Sequence, residues 1–363
     1  MGNALHEFAV VGMGIAGLSA AIRLREHGYD VVLIGDEKSA SRVSAGIITL
    51  QLENLKDILL VRKSIDIINS LIDSFELEEI GVTCKGFISI EDSVEAEDSA
   101  ELLKKAGIDF KQFNSEDASD RWPWLILSED EVVTYTWDDL SVEADIFIDS
   151  LINIAKKKGV YIVEDWVKEL ICGEKNKLIL QRSGEIEAEV VLLCLGAWTK
   201  DFLSRDGIDI PTAILRCPAY RFKTVNNITA FADEVYESYW RPGINGTIVG
   251  GGYHAELVYD PSRFFNGPPR RFRSGAEKLL KLRLKNSIEL VEEWSGPCSI
   301  TSDLDPLMDA LPRHENVFFI DGLRGYGLMR GPALGYLLAD IASGRRDLDT
   351  VKEYRLSRFS NLL

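Results

Sequence analysis

The chain has 363 residues, 46% of them hydrophobic and 27% charged, a globular composition long enough for two domains that excludes disorder, collagen or a whole-chain coiled coil. Acidic side chains outnumber basic ones by 58 to 41, and the resulting formal charge of −17 repels polyanions, so nucleic acid is not an expected partner.

Phe8 to Gly12 is an apolar run that stops on glycine, residues 18–27 place apolar positions at helical spacing before Gly28, and Val31 to Ile34 is a second apolar run. Strand, glycine turn, helix and strand in so short a stretch form a parallel βαβ unit. Helical spacing returns over 50–80, while 81–140 is acidic and mixed, with a strand-like piece at Gly86 to Ile90. A helix through Ile146 to Ala155 ends in Lys156, Lys157, Lys158 and Gly159, where cations and glycine suit a C-terminus. Strands are predicted at 160–163, 177–181 and 189–195, then at 220–225 and 247–250, followed by a helix at 276–285. A strand at 317–320, a glycine-rich loop and a helix beginning at Pro332 close the chain.

The expected fold class is α/β: a discontinuous Rossmann-like domain from 1–84, 141–214 and 296–363, with a β-rich α+β substrate domain from 85–140 and 215–295. The basic run Arg270, Arg271, Arg273, Lys278, Lys281, Arg283 and Lys285 reads as the solvated face of a helix in the second domain. Five scattered cysteines without a CxxC pair and four histidines without ligand spacing predict a reducing compartment and no metal. No basic leader and no membrane-spanning run is evident, so a cytoplasmic protein without a transmembrane segment is expected.

Gly12-Met-Gly14-Ile15-Ala16-Gly17 fits G-x-G-x-x-G between a predicted strand and helix. Gly12 permits the turn, Gly14 lets the backbone approach a pyrophosphate, and Gly17 lets helix and sheet pack, while the helix N-terminus offers N–H groups to phosphate. The carboxylate expected at the end of the second strand is displaced by one: Gly35 holds its slot and Asp36 follows, a candidate for the ribose hydroxyls.

Further segments carry a resemblance. Ser41-Arg42-Val-Ser44-Ala45-Gly46, Val167 after a third parallel strand, the strand ending in Leu195-Gly196-Ala197-Trp198, Trp294-Ser-Gly296 and the loop Gly322-Leu-Arg324-Gly325-Tyr326-Gly327-Leu328 follow in order. Together they resemble the D-amino acid oxidase superfamily of flavoenzymes, which includes glycine oxidase, monomeric sarcosine oxidase and dye-linked proline dehydrogenase. The resemblance implies FAD, bound by Gly12, Gly14, Ile15, Ala16, Gly17, Asp36, Arg42, Ser44, Ala45, Gly46, Val167, Gly196, Trp198, Cys298, Gly325, Tyr326, Gly327 and Leu328. Cys298 falls where sarcosine oxidase carries its flavin through a thioether, so it is either a covalent attachment point or an unreacted residue near the ring.

The resemblance also implies oxidation of the C–N bond of a small amino acid or secondary amine, such as proline, sarcosine or glycine, by hydride transfer to flavin. An arginine is the natural anchor for a substrate carboxylate. The family's two familiar anchors are absent, since the chain reads Gly296-Pro-Cys298 at one and Met329 at the other. Arg324 is the preferred replacement, with Arg330 and Arg241 as alternatives; Tyr253, His254 and Tyr326 are candidates for contact with substrate. Sarcosine oxidase has a lysine on the strand matching Thr247–Gly252, and this chain has none. That favours a dehydrogenase that passes electrons to a quinone, dye or partner subunit over an oxidase, and association into an oligomer is compatible with it. Two alternatives stay open: a 2-hydroxy acid dehydrogenase with His254 as base, and a non-catalytic flavin-binding subunit that relays electrons in a complex.

Overall fold

In a computed structural model, which describes residues 5–359 apart from 74, 77–78, 225–226, 253 and 260–266, the chain begins with the predicted unit. Strand β1 (Leu5–Val11), helix α1 (Ile15–Glu26) and strand β2 (Val31–Gly35) follow in order, and β1 and β2 pair in parallel. Residues 8–11 and the whole of β2 are buried, which is why they read as unbroken apolar runs and not as alternating ones. The chain then runs through β3 (Ile47–Ile48), α2 (Leu55–Ile72), β4 (Val82–Glu91), α3 (Ser93–Ala106), β5 (Phe110–Asn114), α4 (Ser115–Arg121), β6 (Val132–Val142) and α5 (Ala144–Lys157). Side chains of Asn54, Asp92 and Asn114 cap α2, α3 and α4, accepting from backbone N–H groups of their first turns.

The return to the first layer is β7 (Tyr161–Glu164), β8 (Val167–Ile171), β9 (Asn176–Leu180), β10 (Glu185–Leu193) and α6 (Thr199–Ser204). A second excursion comprises β11 (Thr212–Lys223), β12 (Ala230–Asp233), β13 (Ser238–Gly243), β14 (Thr247–Gly252), β15 (Glu256–Leu257), α7 (Arg270–Arg283) and β16 (Glu289–Thr301). The last elements are β17 (Leu307–Leu311), β18 (His314–Asp321) and α8 (Gly327–Ala342). No helix among the described residues is long and apolar enough to cross a membrane.

Two sheets result. The first has the order β17-β18-β10-β1-β2-β7, with β8 and β9 attached through β10; β18, β10, β1, β2 and β7 are parallel. The second runs β15-β11-β14-β13-β12-β4-β6-β3, with β16 on β11 and β5 on β6, and is antiparallel apart from the β12–β4 pair. One core lies between the first sheet and α1, α2, α5 and α8, another on that sheet's opposite face, and a third joins the second sheet to α4 and α7. The four boundaries expected from the sequence fall at residues 84, 140, 214 and 295, inside β4, β6, β11 and β16 of the second sheet. Composition changes where the chain is in mid-strand between the layers, so it does not mark the ends of the strands.

Two helices begin earlier than expected. Helix α8 starts at Gly327, and Pro332 lies inside it, in the second turn. The proline lacks an N–H, and the next one, on Ala333, donates to Ser64 Oγ of α2 at 3.1 Å. Helix α7 starts at Arg270, and Arg283 at its end is not solvated: it is 1% exposed. Its guanidinium donates to both oxygens of Glu131 at 2.8 Å and to both of Asp233 at 2.6 and 2.8 Å, tying α7 to β12 and to the turn before β6. Breaking such a pair strands two buried carboxylates. Arg283→Ala is therefore expected to lower unfolding free energy by about 3–5 kcal/mol in urea denaturation, while Lys281→Ala, on the exposed side of the same helix, changes it by less than about 1 kcal/mol.

Candidate functional site: a dinucleotide cavity at the carboxyl edge of the parallel sheet

Beyond the carboxyl ends of β1, β2 and β10 lies a cavity of about 890 Å³ that continues to the second sheet, at the upper end of the size range of small-molecule sites. Its floor is the β1–α1 turn, with Gly12, Gly14, Ile15 and Ala16 in the wall. A Cβ on Gly12 would stand 2.1 Å from the Cys194 carbonyl oxygen, and one on Gly17 1.9 Å from the Gly12 oxygen. These contacts press α1 against the strands and leave its N-terminus facing the cavity, which fits a bound pyrophosphate. Gly17 thus packs behind the cradle and does not line it. The Ile15 N–H donates to Ser41 Oγ at 3.0 Å, so Ser41 meets the same helix end.

Over β2 and β7 the wall includes Asp36, Trp166, Val167 and Trp198. Gly35 takes the usual carboxylate position because a side chain there would strike Met13, 2.6 Å away. Asp36 accepts from the Lys38 N–H at 2.9 Å and from the Trp166 indole N–H at 2.8 Å. Burial opposes its charge, but these two donors and the Lys38 ammonium outweigh it and hold the carboxyl below its usual range. The anion retains acceptor capacity for a ribose hydroxyl. Trp166 meets Trp198 edge to face at 6.0 Å, giving this end of the cavity an aromatic wall.

Of the segment expected to meet the cofactor, Ser44, Ala45 and Gly46 line the cavity beside Gly196, but Arg42 does not. Its guanidinium turns outward to Asp149, 2.5 Å away. Arg241 is likewise outside the wall. It is 1% exposed, pairs with Glu143 at 3.2 Å, and donates from Nε to the Ala45 carbonyl. It braces the Ala45–Gly46 segment and is not free for substrate. Burial raises Glu143, but Arg221 and Arg241 together hold its pKa down to about 2.

At the far end, Gly325, Tyr326, Gly327 and Leu328 bring the N-terminus of α8 to the cavity, opposite Gly296 and Cys298. The two helix N-termini share one cavity because α8 packs closely on α1: a Cβ on Gly331 would meet Ile15 at 2.6 Å, and one on Gly335 the Ala16 oxygen at 2.4 Å. The neighbouring Cys217 thiol and burial together push the Cys298 thiol well above the ordinary range.

Of the three arginines considered for substrate, only Arg324 lines the cavity. Arg330 is buried and bound to Asp57 at 2.6 and 2.8 Å, where it joins α8 to α2. Arg324 lies over the Tyr326 ring at 4.8 Å and approaches Glu53 only to 4.0 Å. Its backbone takes φ +59°, held by its N–H to the Ser299 carbonyl at 2.9 Å. Burial raises the Tyr326 phenol to about 12, so it stays a neutral donor. His254 lines the cavity with its ring edge-on to Phe272, and Tyr253 lies outside the described residues.

Several wall residues escaped the sequence reading. Trp166 adjoins the expected Val167, and Ser41 opens a segment that was recognised, so neighbouring positions carried a signal. Cys217, Tyr239, Glu91 and Asp321 carried none, because pairing of distant strands brings them there. Asp321, at the end of β18, is 1% exposed; burial pushes its carboxyl up to about 6, partly offset by the Ser299 and Thr212 hydroxyls.

The family model of FAD-dependent oxidoreductases matches residues 7–341. The chain belongs to that family. This flavoenzyme is 23% identical over 266 residues to N-methyl-L-tryptophan oxidase of Escherichia coli, covering 69% of its own length and 70% of the relative's. Its fold is similar to the crystal structures of L-proline dehydrogenase from P. horikoshii, with a TM-score of 0.87 at 20% identity and 99% of each chain covered. Glycine oxidase from Geobacillus kaustophilus gives 0.84 at 19% identity, with 97% and 98% covered. FAD, when bound, supplies the two-electron acceptor; the glycine cradle, Asp36 and the α8 N-terminus are the parts that fit its pyrophosphate, ribose and ring end.

Two outcomes are expected. Asp36→Ala weakens FAD binding by about 10- to 100-fold, the worth of a hydrogen bond to a charged group, read by flavin fluorescence as apoprotein is titrated. Asp321 has a folded pKa raised to about 6, so its ionisation destabilises the fold as pH rises toward that value, and the full cost stands above it. Asp321→Asn should therefore stabilise the protein by roughly 2–4 kcal/mol at pH 8 and by little near pH 4 in urea unfolding.

Proposed function

We propose that this flavoenzyme oxidises the C–N bond of a small amino acid or N-alkyl amino acid and passes the electrons to an acceptor other than oxygen. The observation that carries the substrate class is the state of the arginines. Arg241 and Arg330 are spent in buried pairs, whereas Arg324 presents its guanidinium to the cavity from the loop that precedes α8, with its nearest carboxylate, on Glu53, 4.0 Å away. A planar cation in that setting suits a carboxylate ligand in bidentate fashion. The named relatives all act on amino acids, which supports the same reading.

Arg324 holds the carboxylate and thereby fixes which carbon faces the flavin. Tyr326, neutral and beside the guanidinium, donates to the same anion or packs against the substrate. The apolar wall keeps water from the reacting carbon. Loss of a hydride from that carbon and of the amine proton leaves an imine, which water hydrolyses after release. The chain supplies position and potential, and the positive end of α8, which reaches the cavity, would favour a reduced, negatively charged cofactor there.

The acceptor assignment rests on β14. Gly250, Gly251 and Gly252 occupy the strand where an oxygen-activating lysine is expected in an oxidase, and a Cβ on Gly250 would stand 1.9 Å from the Tyr239 oxygen. A second reading, a 2-hydroxy acid dehydrogenase, is favoured by His254 in the cavity wall, which could take a hydroxyl proton.

Anaerobic mixing with a panel of amino, N-methyl amino and hydroxy acids, scored by loss of flavin absorbance, tests both. Amino acids are expected to bleach the flavin, and Arg324→Met to raise the concentration needed by about 10- to 100-fold with little change in final amplitude. Bleaching by hydroxy acids alone, abolished in His254→Ala, would establish the second reading. Reoxidation faster with oxygen than with an artificial dye would overturn the dehydrogenase assignment.

A further inference from the structure

Two thiols in the wall of this cavity have no part in that chemistry. Cys217 on β11 and Cys298 on β16 both line it and are both only partly buried. The strands are antiparallel with Cys217 opposite Gly296 and Leu215 opposite Cys298, so the two cysteines lie on one face of the sheet as diagonal neighbours. Gly296, directly opposite Cys217, adds no side chain to that face, and the two thiols are near enough that Cys217 raises the Cys298 thiol. The pair is also tied to the flavin end of the cavity, since the carbonyl of Ser299, next to Cys298, accepts from the Arg324 N–H at 2.9 Å. Of the remaining cysteines, Cys84 and Cys172 do not line the cavity, and Cys194, which does, is buried against the glycine turn just past the end of β10, away from the β11–β16 pair.

We propose that Cys217 and Cys298 form a redox-active pair that exchanges two electrons with the flavin held in this cavity. In one direction both S–H bonds break and one S–S bond forms, and the two electrons and two protons pass to oxidised FAD, which becomes reduced flavin. In the other, flavin reduced by substrate returns them, the S–S bond breaks, and both thiols are restored. The pair thus stores one substrate's electrons inside the chain until an external acceptor arrives. The inference rests on flavin occupying this cavity and not on the identity of the substrate.

Reductive titration of the air-equilibrated holoenzyme with dithionite under argon tests it. Four electrons per flavin are expected for the native chain and two for Cys217→Ser and Cys298→Ser, each nearly isosteric with the native residue. In parallel, denatured air-equilibrated protein should show three free thiols of the five in the chain, and all five after reduction. Two electrons per flavin together with five thiols in both states would overturn the proposal. So would flavin that stays with the denatured chain, because a thioether at Cys298 leaves no dithiol. Neither result bears on which acids bleach the flavin, so the substrate reading stands or falls separately.

Discussion

The structure depends first on a backbone contact with no room for a side chain. The Gly12 carbonyl sits where a Cβ of Gly17 would be, and the Cys194 carbonyl where a Cβ of Gly12 would be. That contact fixes the helix α1 on the sheet with its N-terminus open toward the carboxyl edge. The same economy of volume recurs where Gly331 and Gly335 of α8 meet α1. Two helix N-termini, separated by some 300 residues of sequence, are thereby brought to one cavity, one suited to a pyrophosphate and the other to the electron-rich edge of a flavin.

The second organising force is the disposition of charge. A chain with a formal charge of −17 has carboxylates to spare, and they meet its buried arginines and one half-buried one: Arg330 by Asp57, Arg241 and the half-buried Arg221 by Glu143, Arg283 by Glu131 and Asp233. Each group joins elements far apart in sequence, so the pairs act as braces between layers. Their cost in desolvation is offset by bidentate geometry. Arg324 stands apart from this pattern, in a left-handed backbone conformation on a loop between β18 and α8.

The parallel βαβ start was legible because both of its signals are local: unbroken apolar runs for doubly buried strands, and glycine at fixed offsets in the turn. The family segments around Ala45, Gly196 and Gly325 were legible for the same reason, being short and contiguous. The start of α8 was misplaced because Pro332 looks like a first-turn residue, whereas it lies inside the helix with the adjoining Ala333 N–H donating to Ser64 of α2. Arg283 was read as solvated because its helix is basic on most sides, and nothing nearby in sequence announces Glu131 or Asp233 as partners. Arg241 looked like a substrate ligand until Glu143 and the Ala45 carbonyl accounted for its donors.

From residue order alone follow the α/β class and the dinucleotide turn, since each rests on spacing within a few residues and on side-chain chemistry; the FAD-dependent family and the arginines worth considering came from the resemblance of short segments to a known superfamily. The tertiary structure decided which arginine faces the cavity, why Asp36 and not residue 35 carries the carboxylate, and that Cys217 stands beside Cys298. Those outcomes depend on which distant strands pair and in what register. One residue of slip would turn either cysteine to the other face of the sheet, and no local pattern encodes that choice.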